Sequence, residues 1–255
     1  MNPGYPHSVG VAAALVDRPV FDPLELSQRF KDVAQSHALW AHPFVQGCRA
    51  GRITPAHVRA LGGQMYKFCR EFTRFLAAAM AHCPDEGTLG VLGHNLWEEL
   101  GEGDPERAHP ALFRRFTRAL GLCDTDLAAI PAEPETQALI DTYLGLGRQF
   151  GLAGALGAIC YASEGIVGAL YGHIRKGLFQ AIQFPEGSLE FFDVHVQVDD
   201  GHADQIESVL LPLLRTEADV HTVEKALVLA MDARCRFFDA VLRVAMRQAD
   251  PLPHA

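Results

Sequence analysis

Three polar residues set close together, His195, Asp199 and His202 in the run His195-Val-Gln-Val-Asp199-Asp-Gly-His202, are spaced i, i+4 and i+7. On an unbroken α-helix these positions lie side by side. Two imidazoles and a carboxylate on one face make a donor set for a divalent transition metal. Apolar residues frame the set, with Phe191, Phe192, Val194 and Val198 before it or within it and Ile206, Val209 and Leu210 after it. That framing belongs to a helix packed on a core, where unpaired polar groups cost a few kcal/mol each and need partners. The same spacing also suits a solvated face that is simply rich in His and Asp, and both readings stay open at this point.

Upstream, Asn95-Leu-Trp-Glu98-Glu99-Leu-Gly-Glu102-Gly-Asp104-Pro-Glu-Arg-Ala-His109-Pro supplies further ligand types. Glu99 and His109 are ten residues apart and would diverge by about 80° on a continuous helix. The Gly-Glu-Gly-Asp-Pro insert breaks the helix, acts as a hinge, and allows His109 to swing back towards Glu99. A plain loop between two helices, with Asp104 capping the second, explains the same residues. A third candidate is Glu164, alone among apolar and small residues between Gly151 and Tyr171. This stretch is apolar all round and reads as a central buried helix, so its carboxylate must be paired, protonated or metal-bound.

The chain has 255 residues, 49% of them apolar, and a formal net charge of −9. It is long enough to bury a substantial core, and its charge disfavours nucleic acid or an anionic membrane as partner. No run of about 18 uninterrupted apolar residues and no secretory signal pattern is present. Six cysteines, Cys48, Cys69, Cys83, Cys123, Cys160 and Cys235, lack CxxC spacing and read as reduced, mostly buried thiols of a cytoplasmic protein.

The elements that must carry these residues are helices. Residues 1–20, punctuated by Pro and Gly, are expected to form an irregular arm, and 21–250 one all-α domain. Asp22-Pro23 opens a helix running to the region of His42-Pro43, and Thr54-Pro55 opens another reaching about His82. Asp85 caps a helix that ends near Glu99, and one more runs through Leu112, Phe116 and Leu120 to Gly121. Further helices are expected at 134–149, 152–181, 188–213 and 217–248. Neither sustained alternation nor hairpin turn signals point to strands.

In order along the chain, Asn95-x-x-Glu-Glu-x-Gly-x-Gly-Asp-x-x-x-x-His109, then Glu164, then His195-x-x-x-Asp-x-x-His202 resembles the heme-oxygenase-like diiron oxidases and oxygenases, relatives of thiaminase II and pyrroloquinoline-quinone synthase. The resemblance spans roughly residues 35–245, with its motifs between 95 and 202. It implies a seven-helix bundle, commonly dimeric, that holds two irons (Fe2+/Fe3+, or a manganese–iron pair) and no heme. Glu99, His109, Glu164, His195, Asp199 and His202 would be the metal ligands and act in catalysis through the metals. Activity in such a family means O2-dependent oxidation of a small organic substrate, with amines or amino acids favoured here over fatty acids and an external reductant allowed. His94, Glu98, Glu102, His173 and Asp200 could orient ligands, although surface or structural roles suit each of them better. Tyr66, Tyr161 and Trp97 are better read as packing residues.

Two other mechanisms fit parts of the pattern. A metal-free oxidase like pyrroloquinoline-quinone synthase would bind an anionic substrate in a basic pocket. A thiaminase-type hydrolase would need a nucleophilic cysteine facing the cavity, and Cys160, near Glu164, is the candidate. A non-catalytic scaffold would have no use for six convergent ligands.

Overall fold

Proline and small polar caps set the helix starts. In the computed structural model, which describes residues 21–197 and 201–249, Asp22 accepts hydrogen bonds from the backbone N–H groups of Leu24 (2.8 Å) and Glu25 (3.4 Å). Helix α1 (Pro23–Ser36) follows, and a 3₁₀ turn at Ala38–Ala41 leads into α2 (Pro43–Arg49). Residues 55–82 do not form one helix as expected. They divide into α3 (Pro55–Cys69) and α4 (Phe72–Met80) at Arg70 and Glu71, which carry no sequence breaker. Asp85 caps α5 (Glu86–Glu99) as expected, accepting from Thr88 N at 2.8 Å.

After the Gly-rich insert come α6 (His109–Ala119), a short α7 (Asp124–Ala129) that periodicity did not indicate, and α8 (Pro134–Ile159). The expected break near residue 150 is a kink at Gly151, whose φ of 68° is one that side chains with a Cβ rarely adopt. A π-helical turn, Cys160–Glu164, then joins α8 to α9 (Gly165–Ala181). The span expected to be one helix over 188–213 is instead α10 (Glu190–Gln197) and α11 (His202–Leu210), with a 3₁₀ turn at Leu211–Leu213. Gly201, at φ 66°, precedes α11 in a left-handed conformation that no continuous helix contains. The last helix is α12 (Glu217–Ala249).

The described residues are all-α. They form more helices than the seven expected because kinks and short turns cut long segments into pieces. The central column is α8, the π turn and α9. Helix α12 runs along α8 and against α3, α4 also packs on α8, and α10 rests on α9 and α6. Aromatic contacts join these layers: Phe44 stacks on Phe238 with ring centroids 5.0 Å apart, and Phe75 on Tyr143 at 5.1 Å. Burying each such ring contributes about 1.5–3 kcal/mol. The continuous segment Pro134–Ala181 is long and apolar enough to cross a membrane, yet 72% of its most apolar window is buried inside the molecule. Its apolarity is used by the core.

All six cysteines are free, and three of them, Cys48, Cys69 and Cys160, are buried. The expected arm over 1–20 and the candidate residues Asp199 and Asp200 lie outside the described residues.

Candidate metal centre

Four elements bring the candidate ligands together. Glu99 closes α5, His109 opens α6, Glu164 ends the π turn and His202 opens α11. The Gly-rich insert does what its composition suggested: the chain turns at Gly101 and Gly103, with φ of 86° and 91°. At Gly101 a Cβ would lie 2.2 Å from the Asp104 carbonyl oxygen, so only glycine fits the close return. His109 Nδ1 thereby comes to 2.7 Å from Glu99 Oε2. Asp104 is not the cap of α6, which begins after Ala108 without a side-chain cap. Its carboxylate accepts instead from Glu106 N within the loop, at 3.0 Å.

Ligand atoms of Glu99, Glu164 and His202 all lie within 4.8 Å of one another, and all three side chains are buried. His202 Nδ1 is 3.6 Å from Glu99 Oε1 and 3.8 Å from Glu164 Oε2. On its far side, His202 Nε2–H donates to Glu98 Oε2 at 3.0 Å. That bond orients the ring with Nδ1 towards the two carboxylates, the arrangement in which a carboxylate orients a metal-binding imidazole. Of the two roles open to Glu98, the bond to His202 fits the one that orients a candidate ligand, and His94 Nε2 stands 3.7 Å from Glu98.

His195 joins the group by a different route from the helical stripe expected of it. With α10 and α11 separate, His195 and His202 share no helix face. His195 packs against His109, ring centroids 4.7 Å apart, and donates from Nδ1 to the Phe191 carbonyl oxygen at 2.6 Å. A carbonyl only accepts, so the proton is on Nδ1 and Nε2 carries the lone pair. Burial, with the neighbouring His109 adding to it, pushes the His195 imidazole down to about 4. Burial would by itself raise the Glu99 carboxyl, but His109, His195 and His202 outweigh it and hold Glu99 below the usual carboxylate range. For His109, burial is likewise outweighed, by Glu99, and its pKa is raised.

Glu99, His109, Glu164 and His195 line a tight cavity of about 20 Å3 together with Phe68 and Tyr171. Such a volume holds about one water. His109 and His202 also border a second, charged cavity of about 250 Å3, together with Glu98, Glu102, Arg107 and Glu190. The donor set thus sits between an aromatic chamber and a polar vestibule.

Other candidates fall elsewhere. Cys160 borders a different cavity, with Tyr161 and Glu207, and its Sγ donates to the Ala203 carbonyl oxygen at 3.3 Å. Burial raises its thiol well above the ordinary value. Tyr161 Oη donates to Glu207 at 2.9 Å, Tyr66 stacks near Phe113, Trp97 is half exposed, and His173 packs against Trp40. The tyrosine at the cavity is Tyr171, fully buried and 5.2 Å from the His195 ring. It follows Glu164 by seven residues, a same-face spacing legible in the sequence. Arg234, behind the cavity wall, also went unnoticed, although it interrupts the apolar stripe Leu227, Ala230, Met231, Phe238 and Val241 of α12.

The model of a family described as iron-containing redox enzymes, heme-oxygenase-like, matches residues 59–234. A 4-aminobenzoate synthase of Nitrosomonas europaea is 27% identical over 222 residues, 84% of this chain and 89% of that protein. A 4-aminobenzoate synthase of Chlamydia pneumoniae is 26% identical over 187 residues, 73% of this chain and 81% of that one. Among solved structures, a heme-oxygenase-like domain from Shewanella denitrificans superposes with a TM-score of 0.75 at 19% identity, covering 92% of this chain and 99% of that one. A TenA homologue from Pseudomonas syringae does so with 0.73 at 19% identity, covering 88% and 97%.

Proposed function

Because the chain belongs to the family of iron-containing redox enzymes, we propose that it is a non-heme diiron oxidase or oxygenase that uses O2 to oxidise a small organic molecule. The observation that carries this reading is the buried convergence of Glu99, Glu164 and His202 from three separate elements. Two carboxylates and an imidazole with no thiolate suit iron or manganese better than a structural zinc. His109 and His195 stand at the same cavity with a lone pair available on His195, and they extend the set to five. Asp199 would be the sixth.

Iron held there would supply the electron transfer and O2 binding that no side chain of the set provides. The protein's own groups do the rest. Glu98 takes the Nε2 proton of His202 into a hydrogen bond, and the Phe191 carbonyl takes the Nδ1 proton of His195. Both rings are therefore held in orientation by a hydrogen bond, and burial keeps the His195 imidazole neutral. Phe68, Tyr171 and Phe191 keep bulk water from the inner cavity. The 4-aminobenzoate synthase relatives make an aromatic amine chemistry the favoured one, in line with an amine or amino-acid substrate. The hydrolytic alternative through Cys160 lacks support, since that thiol is buried, held protonated and turned to another cavity.

Anaerobic titration with Fe(II), followed by rapid mixing with O2, tests the proposal. Two irons per chain and a transient visible absorption after mixing are expected. Glu164→Ala and His202→Ala should each lose iron and O2 reactivity together. Full iron stoichiometry in both variants would sink the assignment.

A further inference from the structure

Among the described residues, Arg234 is a buried cation without a carboxylate partner. Arg234 on α12 is 3% exposed. Its Nη2 makes three long contacts, all to neutral oxygens: Tyr143 Oη and the Ala162 carbonyl at 3.4 Å, and Ser163 Oγ at 3.3 Å. Its Nε has no acceptor, and among the described residues no carboxylate oxygen lies within 4.0 Å of it. The guanidinium packs instead over the Phe68 ring, 5.0 Å from its centroid. A buried charge without a partner costs several kcal/mol, and neutral acceptors at such lengths offset only part of that. The π turn explains one contact, because the Ala162 carbonyl lies within it, but it leaves Nε and the charge unanswered.

Two of the groups that Arg234 touches, Phe68 and Ser163, line the aromatic cavity together with Glu99, His109, Glu164 and His195. Its charge also reaches Cys69 and Tyr171, which line the same cavity. The cavity is therefore lined by metal-ligating side chains and aromatic faces, with an unpaired cation behind Phe68 and Ser163.

We propose that Arg234, together with Ser163, binds the carboxylate of a ring-sized carboxylic acid and so fixes which end of the substrate meets the metal-ligating residues. The proposal rests on the cavity being the substrate site of the oxidase described above. A single guanidinium matches a monoanionic carboxylate, whose two oxygens accept from its planar fork of N–H donors; a phosphate dianion would call for more donors than Arg234 and Ser163 supply. Phe68, Phe72, Tyr171 and Phe191 offer faces and edges to an aromatic ring. The free space of about 20 Å3 admits a ring only after a wall side chain turns aside. Phe72 is the least buried of the four and the one placed to do so.

Benzoate is the probe, with benzamide as its uncharged analogue, measured by titration calorimetry on iron-loaded protein and again after chelation. Benzoate should bind saturably in both forms, and benzamide about tenfold more weakly or worse. Arg234→Gln should abolish the preference for benzoate. Ser163→Ala, which removes one donor and keeps the cation, should weaken benzoate about two- to tenfold. Benzoate affinity unchanged in the variants overturns the proposal, as does equal binding of the two probes or no binding of either. Benzoate binding that disappears with the iron also overturns it, because the carboxylate would then sit on the metal. Should Arg234→Gln fail to fold, the benzoate–benzamide contrast and Ser163→Ala still decide. Iron stoichiometry on the same samples tests the oxidase reading separately, since binding to chelated protein does not depend on it.

Discussion

Tyr143→Phe removes one oxygen from the support of the π turn and nothing else. The ring keeps its stack on Phe75 (5.1 Å) and its edge contact with Phe68 (5.6 Å). The hydroxyl, however, donates to the Ala162 carbonyl at 3.0 Å and accepts from Arg234 Nη2 at 3.4 Å. Ala162 lies inside Cys160–Glu164, where the helical ladder shifts to π register, and Gly165 N–H reaches back to the Cys160 carbonyl. Without the hydroxyl, that buried carbonyl keeps only the long Arg234 contact among side-chain donors. Leaving a buried polar group short of a partner costs about 1–3 kcal/mol. For a chain of this size each kcal/mol lowers the melting temperature by about 2–4 °C, so a fall of about 2–12 °C is expected in thermal denaturation followed by circular dichroism. Glu164 sits two residues after Ala162, so loosening the turn should also weaken iron binding in an Fe(II) titration. A melting temperature within about 1 °C of the parent protein would refute the account of the carbonyl. A large fall in stability with iron affinity unchanged would refute the claim that the π turn positions Glu164.

Replacing Glu98 by Gln keeps an acceptor near His202 Nε2 but removes its charge. Iron affinity should fall by about 10–100-fold with the helical content intact, and equal affinity in the variant would show that Glu98 does not tune this imidazole. Protonation of His57 offers a stability test away from the centre. Its Nδ1 accepts from Thr54 N at 3.2 Å at the start of α3, and burial lowers its pKa from 6.5. A folded-state pKa below the unfolded one means that this contribution is complete above pH 6.5 and is lost as the pH falls through the lowered value. His57→Gln can keep the acceptor and cannot titrate, so the parent should lose melting temperature between pH 7.5 and 5.5 more steeply than the variant. Parallel losses would exclude His57 as the cause.

Local chemistry made several parts of this molecule legible in advance. The cap at Asp85, the starts at Pro23, Pro55 and Pro134 and the break at Gly151 each follow from one or two residues, because caps, fixed proline φ and glycine freedom act within a single turn. The return of His109 to Glu99 was readable from the Gly-Glu-Gly-Asp-Pro insert for the same reason. The helical stripe of His195 and His202 failed because periodicity assumes continuity, and Gly201 ends it. The division between α3 and α4 left no sequence mark, since Arg70 and Glu71 are good helix formers and the packing of α4 on α8 overrides them. Glu98, for which a surface or structural role was preferred over orienting a ligand, is tied to His202 across 104 positions, a relation that no local pattern records.

The amino-acid sequence alone settled the all-α class and marked the candidate donor residues, because hydrophobic period, caps and donor chemistry are properties of short segments. Only the tertiary structure decided which nitrogen of His109 and His202 faces the carboxylates, which tyrosine borders the cavity, and that Arg234 has no carboxylate partner among the described residues. Those are relations between residues about 10 to 110 positions apart, such as Tyr143 with Ala162 or Glu98 with His202. They exist only once separate helices have packed, and packing is a property of the whole core.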